Sequence, residues 1–150
     1  GESADYDLLI GVPAHRAPAA VATSGLAGPS GWIPVHPETL ATRFEGVYAI
    51  GDVTAIPIAG NKNLPKAGAF AHAQAEVVAR NILAEIRGRP TGRRFDGHGW
   101  CAIETGGGRA AFGAGNFYAK DGPRIRIRRS AAWWHWGKVL FEKWGLWKWF

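Results

Sequence analysis

The sequence predicts a chain of the α/β to α+β class on three observations. The apolar run Val47-Tyr48-Ala49-Ile50 ends in Gly51-Asp52, and a helical pattern covers residues 68–87. Three strand-like stretches follow at 100–103, 110–112 and 124–128, spaced as an antiparallel meander. A last amphipathic helix covers residues 133–150.

The elements follow in chain order. Asp7-Leu8-Leu9-Ile10-Gly11-Val12-Pro13 reads as a short buried strand stopped by Pro. Residues 14–30, rich in Ala, Gly and Pro, read as a wrapped loop with room for one helical turn. Trp32-Ile33-Pro34-Val35 is a second extended piece, with a turn at His36-Pro37-Glu38, and Val47–Ile50 is a third strand. A Pro/Gly/Asn loop occupies 53–65. The helix has Ala, Val, Ile and Leu at i, i+3, i+4 spacing and stops at Gly88 and Pro90. After the basic loop 87–94, Arg124, Arg126 and Arg128 alternate with Ile125 and Ile127, placing charge on one sheet face and apolar groups on the other. Two parts are expected, 1–90 and 91–150.

Charge divides the chain at the end of the long helix. Residues 1–86 hold five Lys/Arg against eight Asp/Glu, and residues 87–150 hold thirteen against four. The second part therefore faces an anionic partner, nucleic acid or lipid. Tryptophan decides between them, because six of the eight (Trp133, Trp134, Trp136, Trp144, Trp147, Trp149) fall in the last 18 residues. Dense Trp among Lys stems fits the headgroup layer of a membrane better than a base-stacking arm. On a helical wheel Trp136, Leu140, Trp144 and Trp147 share a face, extended by Val139, Leu146 and Phe150, with Lys138, Glu142 and Lys148 opposite. A helix docked on a core is the plainer alternative for the same pattern. No apolar run reaches the ~20 residues a spanning helix needs, so the expected attachment is peripheral and monotopic.

The strand ending in Gly51-Asp52 carries the strongest chemical signal. In open α/β sheets ligands sit at the carboxyl ends of strands. Gly51 lets a bulky ligand approach the backbone, and Asp52 can accept hydrogen bonds from sugar or ribityl hydroxyls. Downstream, Pro65-Lys66-Ala67-Gly68 opens the helix, whose free N–H groups favour negative charge, with Lys66 beside them. The plain alternative is a Gly-Asp turn and an exposed Lys. Cys101, the only cysteine, excludes an internal disulfide framework, and on spacing alone a small buried hydrophobe is the plainer reading, with a reactive thiol as the alternative. The five histidines show no ligand spacing, so no metal site is expected.

On these residues the chain resembles a flavoprotein. Val47–Asp52 resembles the second FAD-binding motif of the flavoprotein disulfide reductase superfamily. Pro65-Lys66-Ala67-Gly68, with Gln74 and Asn81-Ile82, is similar to the segment that follows in sulfide:quinone reductases. The resemblance implies the C-terminal part of a two-dinucleotide-binding-domain, pyridine nucleotide-disulfide oxidoreductase-type enzyme. It implies that Gly51 and Asp52 touch the FAD chain and that Lys66, Ala67 and Gly68 face the isoalloxazine, although Ala67 stands where relatives more often have Thr. It further implies that Cys101 pairs with a cysteine upstream of residue 1, one sulfur taking up sulfide or a related sulfur compound and the other reducing the flavin. Phe141 would lie against a quinone, and residues 133–150 would meet the membrane surface.

The chain contains no G-x-G-x-x-G ahead of a helix, and Gly106-Gly107-Gly108 precedes a strand-like segment. The FAD pyrophosphate site is therefore expected upstream. The chain alone is expected to be inactive, to bind FAD weakly and to self-associate through uncovered apolar surface. Two other functions compete: a type II NADH:quinone dehydrogenase-like flavoprotein, which has no use for Cys101, and a non-catalytic membrane-binding module, for which the Gly-Asp strand is incidental. Nucleic acid is not an expected partner.

Overall fold

The computed structural model describes Ser3 and residues 5–150. A four-residue helix, α1 (Ala19–Ala22), lies in the first loop. Four two-residue strands follow: β1 (Ile33–Pro34), β2 (Thr54–Ala55), β3 (Pro57–Ile58) and β4 (Lys62–Asn63). The long helix α2 spans Gly68–Ile86. β5 (His98–Gly106), β6 (Arg109–Asn116) and β7 (Arg124–Ala131) form an antiparallel sheet in chain order, and α3 spans Ala132–Trp149. The α+β expectation thus holds for the described residues.

The core gathers around α2. Leu40, Ile56, Leu64, Phe70, Val78 and Phe95 bury together. On α2 the buried residues Phe70, Gln74, Val78 and Asn81 fall at i, i+4, i+8 and i+11, one stripe of a 3.6-residue helix. Asn81 returns the following chain to the helix: its amide donates to Arg93 O at 3.0 Å and its oxygen accepts from Arg93 N at 3.1 Å. Phe95 then enters the core edge-on to Phe70 and Tyr118. Burial pushes the Tyr118 phenol well above its usual range, and the hydroxyl donates to Pro37 O at 2.9 Å.

Several expectations are corrected. Residues 7–13 form no strand; Leu8, Leu9, Ile10 and Val12 are exposed, so the run has no partner strand and no apolar cover. Val47–Ile50 is extended but reduced to a single Ala41–Tyr48 bridge, with Ala49 N donating to Leu40 O and Thr42 N to Val47 O. The 53–65 loop contains order that was not expected. β2 pairs parallel with β1, and β3 pairs antiparallel with β4 around Gly60 and Asn61, both at positive φ. Asn tolerates that conformation better than most residues.

The meander is longer than expected, with one irregularity in each strand pair. His98–Glu104 pairs with Asn116–Ala110, and β6 pairs with β7 with an irregularity between Ala110 and Phe112. Gly115 is needed where it stands: a Cβ there would lie 2.0 Å from Arg124 O. Helix α3 packs on one face of this sheet, chiefly against β6. Among the described residues no helix is long and apolar enough to cross a membrane.

Candidate functional site: a glycine turn, a helix start and two faces of one strand

After the extended Ile50, the chain turns through a single 3₁₀ turn at Gly51–Val53. Gly51 has φ +68°, and a Cβ would lie 3.1 Å from the Ala71 methyl, so the turn presses its backbone against α2. Three side chains hold it. Gly51 N donates to Gln74 Oε1 at 2.7 Å, Thr54 Oγ1 donates to Gly51 O at 2.7 Å, and the Lys66 ammonium donates to Asp52 O. Lys66 Nζ also lies over the Trp32 ring, 3.4 Å from its centroid, a cation–π arrangement. Desolvation lowers the Lys66 pKa, partly countered by the charge of Asp52.

Four of the expected cofactor residues meet here. Gly51, Asp52, Lys66 and Ala67 line one small cavity together with Phe70 and Gln74. Gly68 is the first residue of α2, and the Ala67 N-cap provides no side-chain cap. The first N–H groups of α2 therefore stay available for an oxygen-bearing ligand. This donor set fits the polar edge of a flavin. Lys66 differs from the sequence reading in one respect, since its ammonium is engaged by the Asp52 carbonyl and Trp32.

Phe70 connects this cavity to the sheet. Its ring fills the space over Gly99, where a Cβ would come within 2.1 Å of it. Only Gly admits the ring so close to the strand backbone. Cys101 lies two residues further along β5, on the same face as Gly99. It is a free, exposed thiol, opposite Gly113 in the ladder, with Ile127 beyond it. Among the described residues nothing covers the thiol.

Trp100 points to the other face, toward α3. It stacks on Phe112 at 5.8 Å, Phe112 stacks on Trp134 at 4.7 Å, and Phe141 meets Trp100 edge-on at 5.3 Å. Phe141 is half exposed beside Trp144. β5 thus separates Cys101 from the Trp100–Phe141 pair by the thickness of one strand. Glu104, on the aromatic side, holds α3 through His135 Nδ1 at 3.0 Å and Lys138 Nζ at 3.1 Å. These bonds, His135 first, hold the Glu104 carboxyl below its usual range.

The docked face of α3 carries Trp134, Lys138 and Phe141. Trp133, Trp136, Leu140, Trp144 and Trp147 turn away from it and are exposed. The wheel's apolar face is therefore the outward one, and Lys138, placed opposite it, faces the sheet. Sequence reasoning missed Trp32 and the Phe70–Gly99 contact, and it named Gln74 only within the resemblance, without a role. Gln74 had a signal, being a polar residue in the apolar stripe between Phe70 and Val78; Trp32 had none. Among the described residues no three of His, Cys, Asp and Glu gather as metal ligands.

No protein-family model matches the chain. Three curated relatives do. The chain is 33% identical over 105 residues to the mitochondrial sulfide:quinone oxidoreductase of Schizosaccharomyces pombe, covering 69% of this chain and 22% of that protein. It is 28% identical over 102 residues to the mitochondrial enzyme of the same name from Mus musculus, covering 67% of this chain and 21% of that one. It is 29% identical over 147 residues to the sulfide-quinone reductase of Aquifex aeolicus, covering 91% of this chain and 33% of that protein. The chain is therefore sulfide:quinone reductase-like over two thirds or more of its length, and spans about a fifth to a third of the relatives it matches.

Proposed function

We propose that the chain is the C-terminal part of a membrane-attached FAD oxidoreductase that oxidises sulfide, or a related sulfur compound, and reduces a quinone. The observation that carries this reading is the continuity from the Gly51–Ala67 cavity through Phe70 to Gly99 and Cys101, with Trp100 and Phe141 on the reverse of the same strand. The three relatives named for sulfide and quinone support it.

Each residue then has a task. Gly51 brings backbone close to the cofactor chain, Asp52 accepts from its hydroxyls, and the start of α2 at Ala67 and Gly68 offers N–H donors to an electron-rich ring edge. Lys66 fixes the turn through Asp52 O and adds positive charge beside it. Bound FAD would supply two-electron acceptance. Cys101, exposed on the apolar face of β5, takes part in sulfur transfer with a second cysteine from outside the chain; a thiolate is the reactive form. On the reverse face Phe141 and Trp100 offer aromatic surface to a planar quinone, a contact with little directional demand.

The outward Trp face of α3 supplies peripheral, monotopic membrane attachment, reinforced by the basic strand β7. In domain terms, residues 1–90 complete a flavin-binding domain and 91–150 form the sheet and the quinone- and membrane-facing helix. The absorption spectrum of the purified full-length protein tests this reading. Flavin bands that sulfide bleaches and a quinone restores are expected. A colourless protein, or one bleached by a nicotinamide and not by sulfide, would overturn it.

A further inference from the structure

Gln74 is 1% exposed and sits one turn above Phe70 on the buried stripe of α2. Its carboxamide orientation is fixed by its partner. Gly51 N–H can be met only by an oxygen, so Oε1 faces the turn and the Nε2 amino group faces away from it. No group among the described residues accepts from Nε2. Yet no buried side-chain polar atom there is sealed off without a partner, so Nε2 keeps an opening. Gln74 lines the cavity of about 10 Å³ between the Gly51-Asp52 turn and the start of α2. The nearly buried Gln74 side chain and the uncapped start of α2 therefore border one pocket. An acceptor that enters this pocket meets an Nε2 that no group among the described residues already occupies.

We infer that Gln74 is a cofactor-binding residue: its amino group donates to a carbonyl oxygen of a planar heteroaromatic cofactor held by the Gly51 turn and α2. The inference rests on the flavin reading above. A single bridging water is the competing occupant, since the cavity volume is near the ~10–15 Å³ one water requires. The chemistry separates them. Electron density on a ring carbonyl grows when the ring is reduced, and a donor there binds the reduced form more tightly, because hydrogen bonds to charged acceptors are the stronger ones. A donor spent on water has no such preference.

The test uses the flavin-loaded full-length protein, whose midpoint potential is read by redox titration with thermal melting as the folding control. Gln74→Glu, measured above pH 8, keeps an oxygen for Gly51 N–H and replaces the donor by a carboxylate. Gln74→Met removes both groups at similar volume. A tenfold loss of preference for the reduced form, about 30 mV for a two-electron couple, is expected for Gln74→Glu, with a smaller fall in the same direction for Gln74→Met. A potential unchanged in Gln74→Glu assigns the side chain to holding Gly51 or a water and overturns the inference. If that variant does not hold flavin, Gln74→Met decides alone, an unchanged potential again overturning it. Absence of flavin from the parent protein would instead defeat the functional reading itself.

Discussion

Residues 33–95 and residues 98–150 solve the problem of apolar surface in opposite ways. In the first region six large side chains, from Leu40 to Phe95, close into a core, and Phe70 is 5% exposed. In the second, the buried hydrophobic residues are Ala110 and Ala131, and none of the 18 residues of α3 is buried. The aromatic row Trp134–Phe112–Trp100–Phe141 and the Glu104 bonds join helix to sheet, but both outer surfaces stay apolar. On one lie Trp133, Trp136, Leu140, Trp144 and Trp147; on the other lie Ile103, Ile125 and Ile127 around Cys101. The first region is built to hold a turn in place. The second presents apolar surface, and contiguous exposed apolar patches mark interaction sites.

The largest effect should come from removing the outward Trp surface altogether. Deleting residues 133–150 from the full-length protein should abolish its sedimentation with anionic vesicles and impair quinone reduction, while soluble electron acceptors still accept electrons. Attachment that survives the deletion places the anchor elsewhere, and global unfolding makes α3 a core element. The parent's vesicle binding should weaken with salt without vanishing, because the aromatic contribution is not screened.

Single truncations sharpen the contrast. Phe70→Ala should lose about 3–5 kcal/mol of folding stability in urea titrations, as buried aromatic truncations do. Trp147→Ala, at a position 82% exposed, should stay within about 0.5 kcal/mol of the parent yet weaken vesicle binding. Equal losses in the two variants would erase the distinction between the regions.

The smallest effect concerns the hold of α3 on the sheet. The Glu104 carboxyl is held below its usual range by His135 and then Lys138. A depressed folded-state pKa gives stabilisation that is present above the unfolded value and lost as pH falls through the folded one. Acid titration followed by tryptophan fluorescence should therefore show α3 loosening at the acid end of the carboxylate range. Glu104→Gln should remove that step while the α2 region stays unchanged; a step that persists assigns it to another carboxylate.

Local patterns made part of this legible in the sequence. The α2 periodicity and its Gly88–Pro90 stop gave the helix to within a residue, and the alternation of Arg124–Arg128 gave a strand. Gly51-Asp52 and Pro65–Gly68 were found because backbone demands are written in Gly and Pro. What was not legible depends on partners. Leu8–Val12 reads as a strand, but an apolar run becomes one only where another strand meets it. The direction of the Lys66 ammonium depends on Trp32, 34 positions away. The wheel separates the two faces of α3, but it does not say that the Lys138 side docks on Glu104. The convergence on β5, with Phe70 over Gly99 and Phe141 against Trp100, arises from contacts between distant elements.

The most direct test of the account is sulfide-dependent flavin reduction in full-length Cys101→Ser, followed at the flavin absorption bands under anaerobic conditions. Sulfur transfer requires the thiol and cofactor contact does not. The account predicts that the variant keeps its full complement of flavin and that sulfide no longer bleaches it. Bleaching at the parental rate would make Cys101 a bystander on the sheet and contradict the account.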